Sequence, residues 1–410
     1  MGETFESLSN DLKAAFRGGV LHAWTERRFD ELAHRVLQYQ LEANPVYSTY
    51  CRRRGFTAST LGDWAAAPPV PTSAFKVVPL ISGDPADVQR VFRTSGTSRG
   101  TGSRGEHHVL DLEIYRSALL PNLGAHVYGE AAWRRPDRDR PSHGDDPRFS
   151  RPDGRPSSDG AETESPREER AGLRLLALVP SPDQVPDSSL SFMLGEALDV
   201  LSAGGGGFFV RPEEGLDVEG LTLAMEEAID GGQPVVLAGT AFAFVHWLDA
   251  LTEAGRRFEL PVGSRLLETG GFKGRSRVLS RAELYEALST AHGVPTQSIV
   301  NEYGMTELLS QFYEPVLSTA PRAIEDRVHV APPWMRTRVL DPLTLEPLPP
   351  GEKGLLCHYD LANAGSVLAV LTEDVGTVDG DGGLRVLGRV EGAEPRGCSL
   401  AMDDLLAGAR

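Results

Sequence analysis

From Phe5 to Arg54 apolar residues recur three and four apart, as in FDELAHRVLQYQLEANPVYSTYCRRRG, which predicts helices packed on something larger. The prolines of PPVPTSAFKVVPL close that region. Further on, short apolar runs (LRLLALV, GGGFFV, PVVLAGTAF, SRLLETGG, SIVNEYG) alternate with amphipathic stretches such as LDVEGLTLAMEEAIDGG and SRAELYEALSTAHG. Continuously apolar strands separated by helices predict an α/β domain around a largely parallel sheet. From Met335 the pattern changes to turn-punctuated strands without helices, MRTRVLDPLTLEPLPPGEKGLLCHYDL and SVLAVLTEDVGTVDGDGGLRVLGRV, which predicts a smaller antiparallel subdomain. Between Trp133 and Arg170 aliphatic residues nearly vanish in favour of Pro, Ser, Asp and Arg, the composition of a disordered insertion. No internal repeat is present.

Composition narrows the class. With 40% hydrophobic and 24% charged residues, a chain of 410 can bury a sizeable core. A net charge of −17 and scattered arginines argue against a nucleic-acid partner, so an anionic ligand would need locally placed donors. Cys51, Cys357 and Cys398 lack metal-ligand spacing, and their odd number fits a reducing compartment. No apolar run reaches the roughly 20 residues of a membrane span, and the N-terminus does not read as a signal peptide. The expected location is the cytoplasm.

Candidate chemistry begins at RTSGTSRGTG, Arg93 to Gly102, which holds only small, hydroxylated or basic side chains. VQRVF before it reads as a strand and LDLEIYRSALL after it as a helix, which makes it a strand-to-helix loop. Glycines there allow close backbone approach, and N–H groups and hydroxyls can donate to phosphate oxygens. It is not a Walker loop, because the Gly-Lys-Ser/Thr ending is missing; a plain surface loop is the alternative. NEYGMTE, Asn301 to Glu307, places an aromatic, a glycine, a hydroxyl and a carboxylate in one turn after a buried strand, and LTEDVGTV and LGRVEG supply Asp374 and Arg389.

Together, in this order and spacing, these motifs resemble the adenylate-forming (acyl-activating) superfamily. Within it NPVYSTYCRRRG, PVPTSAFK, TSGTS, SSLSFMLG, ETGGFKGRS, NEYGMTEL and GRVEGAEPRGCSL resemble the LuxE-type acyl-protein synthetases over nearly the whole chain. The resemblance implies the large adenylation domain of that superfamily, layered α/β sheets plus a small β-rich subdomain, with the mobile C-terminal domain largely absent. The corresponding parts are residues 1–90 (helical), 91–334 (α/β core, interrupted at about 133–170), 335–390 (β-rich) and 391–410 (an arm carrying Cys398). It implies ATP and magnesium as cofactors, a carboxylic acid, foremost a fatty acid, activated as acyl-AMP, acyl transfer to a cysteine near the C-terminus, and delivery to an acyl reductase. Thr94, Ser95, Gly96, Thr97 and Ser98 would hold the triphosphate, Glu307 the magnesium ion, and Thr306 the α-phosphate. Tyr303, beside Gly304, would stack on adenine near the backbone of Gly270 and Gly271. Asp374 would accept from the ribose hydroxyls with help from Arg389. Ordinary structural roles remain open for Tyr303 as a core aromatic, for Glu307 as a solvated acid and for the glycine pair as a turn.

The chain departs from the superfamily where it counts: the lysine that ends the phosphate loop and the one in the C-terminal domain are both missing. The loop offers Arg99 and Arg104, and Lys273 or Arg275 beside the glycine pair could supply the catalytic cation. Cys398 follows Arg396 and Gly397, which favour thiolate and backbone freedom. Cys357 reads as core and Cys51 as helix packing or surface. His107 and His108 could reach substrate or lie on the surface, and GTAFAFVHWLDAL, Gly239 to Leu251, reads either as an acyl-tunnel wall or as core. A carboxylate–coenzyme A ligase of the phenylacetate type and a non-catalytic adenylate-binding scaffold are the competing functions.

Overall fold

Three helices open the chain, and each starts on a side chain that accepts an otherwise unpaired N–H: Thr4 for α1 (Phe5–Phe16), Thr25 for α2 (Glu26–Ala43) and Asn44 for α3 (Pro45–Arg53). The computed structural model describes residues 3–57, 59, 61, 63–95, 104–129, 172–270, 279–390, 401, 402 and 404–406. Residues 96–102 of the 93–102 segment, Gly271, Lys273, Arg275, the 133–170 insertion and Cys398 lie outside them. Asp111 caps α4 (Leu112–Leu123) and also accepts from Ser9 and Lys13 of α1, which ties the two helices together.

After the two-residue strand β1 (Val70–Pro71) and a short 3-10 turn (Thr72–Lys76), β2 (Arg90–Arg93) pairs antiparallel with β3 (Glu106–Val109), with Arg93 opposite Glu106. This corrects the strand-to-helix reading of the RTSGTSRGTG segment, which joins two strands of a hairpin. EHHV alternates outward Glu106 and His108 with buried His107 and Val109, so it folds back on β2 before Asp111 starts α4.

The central sheet has the order β11-β10-β9-β8-β4-β5. Its strands are β4 (Arg174–Leu178), β5 (Ala203–Phe208), β8 (Val235–Thr240), β9 (Arg265–Thr269) and β10 (Ile299–Tyr303), all parallel, with β11 (Phe312–Tyr313) antiparallel at the edge. A small ribbon, β6 (Val210–Arg211) and β7 (Gly215–Leu216), follows β5. Successive strand residues alternate between two cores. Leu175, Ala177, Val236, Ala238, Leu267 and Val300 face one, while Leu176, Leu178, Val235, Leu237, Leu266 and Ile299 face the other. Burial on both faces is why these strands read as unbroken apolar runs. Helices Val218–Asp230, Ala241–Glu253 and Arg281–His292 cover the second face; α4 and the helix Ser189–Val200 cover the first. In the Gly239–Leu251 segment, Phe244 and Trp247 are core, and Trp247 donates its indole N–H to His292 at 2.9 Å.

The second sheet comprises β12 (Met335–Leu340), β13 (Gly354–Asp360), β14 (Ala369–Val378) and β15 (Leu384–Arg389), antiparallel throughout, with β1 added parallel to β14. Cys357, Tyr359 and Val370 share the first core with Phe29, Tyr50 and Cys51, so both cysteines are buried. Ala401 and Leu405 enter that core too, and Arg54 pairs with Asp404 at 2.7 Å. Among the described residues no helix is long and apolar enough to cross a membrane.

Candidate active site

In parallel α/β sheets the carboxyl ends of the strands are where backbone groups and loop side chains converge. Here β9 ends on Thr269 and passes into Gly270 at φ +73°, a left-handed conformation that favours glycine. Thr269 donates to the buried carboxylate of Glu302, next to last in β10, and burial pushes the Glu302 carboxyl up to about 7. A Cβ at Gly304 would press on the Glu302 carboxylate, so a larger residue in the turn after Tyr303 would have to displace that side chain.

The turn from Gly304 to Glu307 is held through its backbone. His107 of β3 donates Nδ1–H to the Thr306 carbonyl at 2.8 Å, Asn363 donates to the Glu307 carbonyl at 2.9 Å, and Leu309 N–H reaches Asp360 and Asn363 at 3.1 Å each. With the carbonyls used by the scaffold, the side chains of Thr306 and Glu307 are the chemistry left to the turn. Burial pushes the Glu307 carboxyl up to about 7, against the pull of Arg389 and Lys76. His107 is buried and driven down to about 4, so it stays neutral and keeps the Nδ1–H it donates.

Tyr303 leads across to the second sheet. Its hydroxyl donates to Asp374 at 2.8 Å and lies 3.3 Å from His358, while its ring packs against Phe312 and His358. Asp374 sits directly opposite Arg389 in the β14–β15 register, and Arg389 Nε donates to its other oxygen at 2.8 Å. Tyr303, Thr306, Glu307, Asp374 and Arg389 therefore belong to one region, joined to the hairpin through His107. At the hairpin base the Thr94 hydroxyl accepts from Gly105 N–H at 2.8 Å, and Arg104 turns back to the Thr94 carbonyl and to Asp187 at 2.7 Å. Ser95 is described; Gly96, Thr97, Ser98 and Arg99 are not. His108 is part-buried, with Nε2 3.6 Å from Glu106.

Two participants carried no pairing signal in the sequence. Asn363 sits in a turn without a motif, and Lys76, although inside PVPTSAFK, is separated in sequence from the loop it meets. Among the described residues no cluster of three or more His, Cys, Asp or Glu could hold a metal ion alone. Glu307 as a lone buried carboxylate suits a hard cation that brings phosphate and water as its remaining ligands.

A mostly parallel six-stranded sheet beside a five-stranded mixed one is the fold of adenylate-forming enzymes. An open conformation of 2-hydroxyisobutyryl-CoA ligase shares it, with TM-score 0.58 and 15% identity over 90% of this chain and 71% of that one. ATP-bound MatB from Rhodopseudomonas palustris is a looser likeness, TM-score 0.43 at 16% identity, covering 75% of this chain, which spans about half of it at 49%. Residues 182–407 match the acyl-protein synthetase family LuxE, and the chain belongs to that family of ligases. It is 24% identical over 397 residues to the long-chain-fatty-acid–luciferin-component ligase of Vibrio harveyi, covering 94% of this chain and 90% of that protein.

Proposed function

We propose that this protein activates a carboxylic acid, foremost a fatty acid, with ATP to form acyl-AMP, and then moves the acyl group to Cys398 as a thioester for delivery to an acyl reductase. The convergence of Tyr303, Glu307, Asp374 and Arg389 beside the hairpin carries the reading. Both Asp374 oxygens already accept one bond, and each retains a lone pair for a ribose hydroxyl. Half-buried Tyr303 and the Gly270 backbone would flank the adenine, and Thr94 and Ser95 stand at the start of the segment assigned to the phosphates. Thr306 donates its hydroxyl to the α-phosphate. Magnesium, held by Glu307 and phosphate oxygens, would neutralise charge on the triphosphate. A carboxylate oxygen attacks the α-phosphorus, the bond to the α–β bridging oxygen breaks, and pyrophosphate leaves with the electron pair. The Cys398 thiol loses its proton to solvent, the thiolate adds to the acyl carbon, and AMP departs.

Intact-mass measurement after incubation with ATP, magnesium and a panel of carboxylates, without and with coenzyme A, tests this. The expected adduct has the acyl mass, is stripped by neutral hydroxylamine, and is missing from Cys398→Ala, which keeps pyrophosphate exchange. Equal labelling of Cys398→Ala places the acceptor elsewhere. Acyl-CoA without an adduct makes the protein a coenzyme A ligase, and neither product makes it a scaffold.

A further inference from the structure

Joining a carboxylate to a triphosphate brings two anions together on a chain of net charge −17, so a fixed positive charge must face the phosphates. The chain has four lysines: Lys13, Lys76, Lys273 and Lys353. Lys13 is committed to Asp111 at 2.9 Å, and Lys353 is exposed in the turn before β13. Arg104 is engaged by Asp187 and Arg389 by Asp374.

Lys76 differs from Lys13, Lys353, Arg104 and Arg389. It ends the 3-10 turn that β1 delivers from the edge of β14, and the preceding Phe75 ring meets His107 edge-on at 5.6 Å. A Cβ placed on Gly105 would lie 3.6 Å from Lys76 Cγ, 3.5 Å from Phe75 Cβ and 3.1 Å from Thr94 Cγ2, so the stem of Lys76 runs along the base of the hairpin. Its charge also favours the ionised form of the Glu307 carboxyl. The chain carries 58 acidic against 41 basic residues, yet among the described residues Lys76 has no ion-pair partner. Its stem is held and its head is left for an anion from outside.

We propose that Lys76 is the catalytic cation of adenylation, its ammonium contacting the triphosphate between the hairpin and Glu307. This rests on the adenylation reading above and deepens it. As the carboxylate oxygen bonds to the α-phosphorus and the α–β bridge breaks, negative charge grows on the non-bridging oxygens and on the departing pyrophosphate. Lys76 stabilises that charge without transferring a proton. It replaces Lys273 and Arg275 as the candidate for this role.

The test uses the full-length protein with ATP, magnesium and tetradecanoate or phenylacetate. Lys76→Met is expected to lower kcat of pyrophosphate exchange by about 10²- to 10³-fold, with KM for ATP shifted less and the melting temperature unchanged. Lys76→Arg is expected to recover at least a tenth of the wild-type rate, since it restores charge at similar reach. Exchange by Lys76→Met within a few-fold of wild type overturns the proposal. So does the same kcat loss in Lys273→Met with Lys76→Met active, or a lowered melting temperature with unchanged kcat of the folded fraction. If Lys76→Met fails to fold, a stable Lys76→Gln takes its place under the same criteria. Wild-type protein that shows no exchange with any acid sinks the adenylation reading itself, a separate outcome from an active wild type with an active Lys76→Met.

Discussion

The two sheets contribute to the proposed site by opposite means. In the parallel sheet the apolar inner residues of β4, β8, β9 and β10 fill two cores, and the proposed site groups come at or after the strand ends: Gly270, Tyr303, Thr306 and Glu307. In the antiparallel sheet they sit within the strands, His358 in the middle of β13 and Asp374 in the middle of β14. Residues at the ends of the parallel strands can be specialised with little effect on packing. Residues inside the antiparallel strands hold the fold and serve the site at once.

The sharpest probe of that contrast is Glu307→Ala. Pyrophosphate exchange is expected to fall at least about 100-fold, the scale of losing one electrostatic contact in the transition state. The melting temperature should hold or rise, because the variant removes a carboxyl that burial makes costly to ionise. A clear drop in melting temperature would break the comparison. Asp374→Ala should move both quantities, raising KM for ATP about tenfold and costing about 1–3 kcal/mol of stability, since the Tyr303 hydroxyl loses its acceptor and Arg389 its partner. Steady-state kinetics and denaturant titration measure the two effects, and a change in only one would undo the claim that they are fused.

A smaller effect is expected from Glu302→Gln, and it depends on pH. The folded protein holds this proton up to about 7, whereas the unfolded chain releases it near 4.5, so the wild type loses stability as pH rises through that window. The variant lacks that loss. Its melting temperature should match wild type near pH 4.5 and exceed it by a few degrees near pH 7.5; a flat difference would show that the carboxyl does not titrate there. Smallest of all should be the response to replacing residues 133–170 by a short Gly/Ser linker. They contain none of the proposed site residues, so exchange activity should stay within about twofold.

The parallel sheet could be read from the chain because burial on both faces leaves a composition signature, visible in LRLLALV and PVVLAGT. The hairpin could not: β3 is four residues with two histidines, runs almost directly into α4, and reads as an approach to the helix. Tyr303, Glu307, Asp374 and Arg389 could each be named from motifs, yet the bond from Tyr303 to Asp374 joins different sheets and has no local pattern. Lys76 shows the same limit. Its place follows from a two-residue strand added to β14, too short for any periodicity to signal.

The way the chain is held on either side of Cys398 has a kinetic consequence. Val390 N–H bonds to the Glu373 carbonyl at 3.0 Å at one end, and Ala401 and Leu405 are buried at the other with Asp404 paired to Arg54, so both ends of the segment containing Cys398 are docked on the same body. A donor and an acceptor carried by one body react without a second molecular encounter. Acylation of Cys398 by the protein's own acyl-AMP would then be first order, with a rate that does not change when the enzyme is diluted.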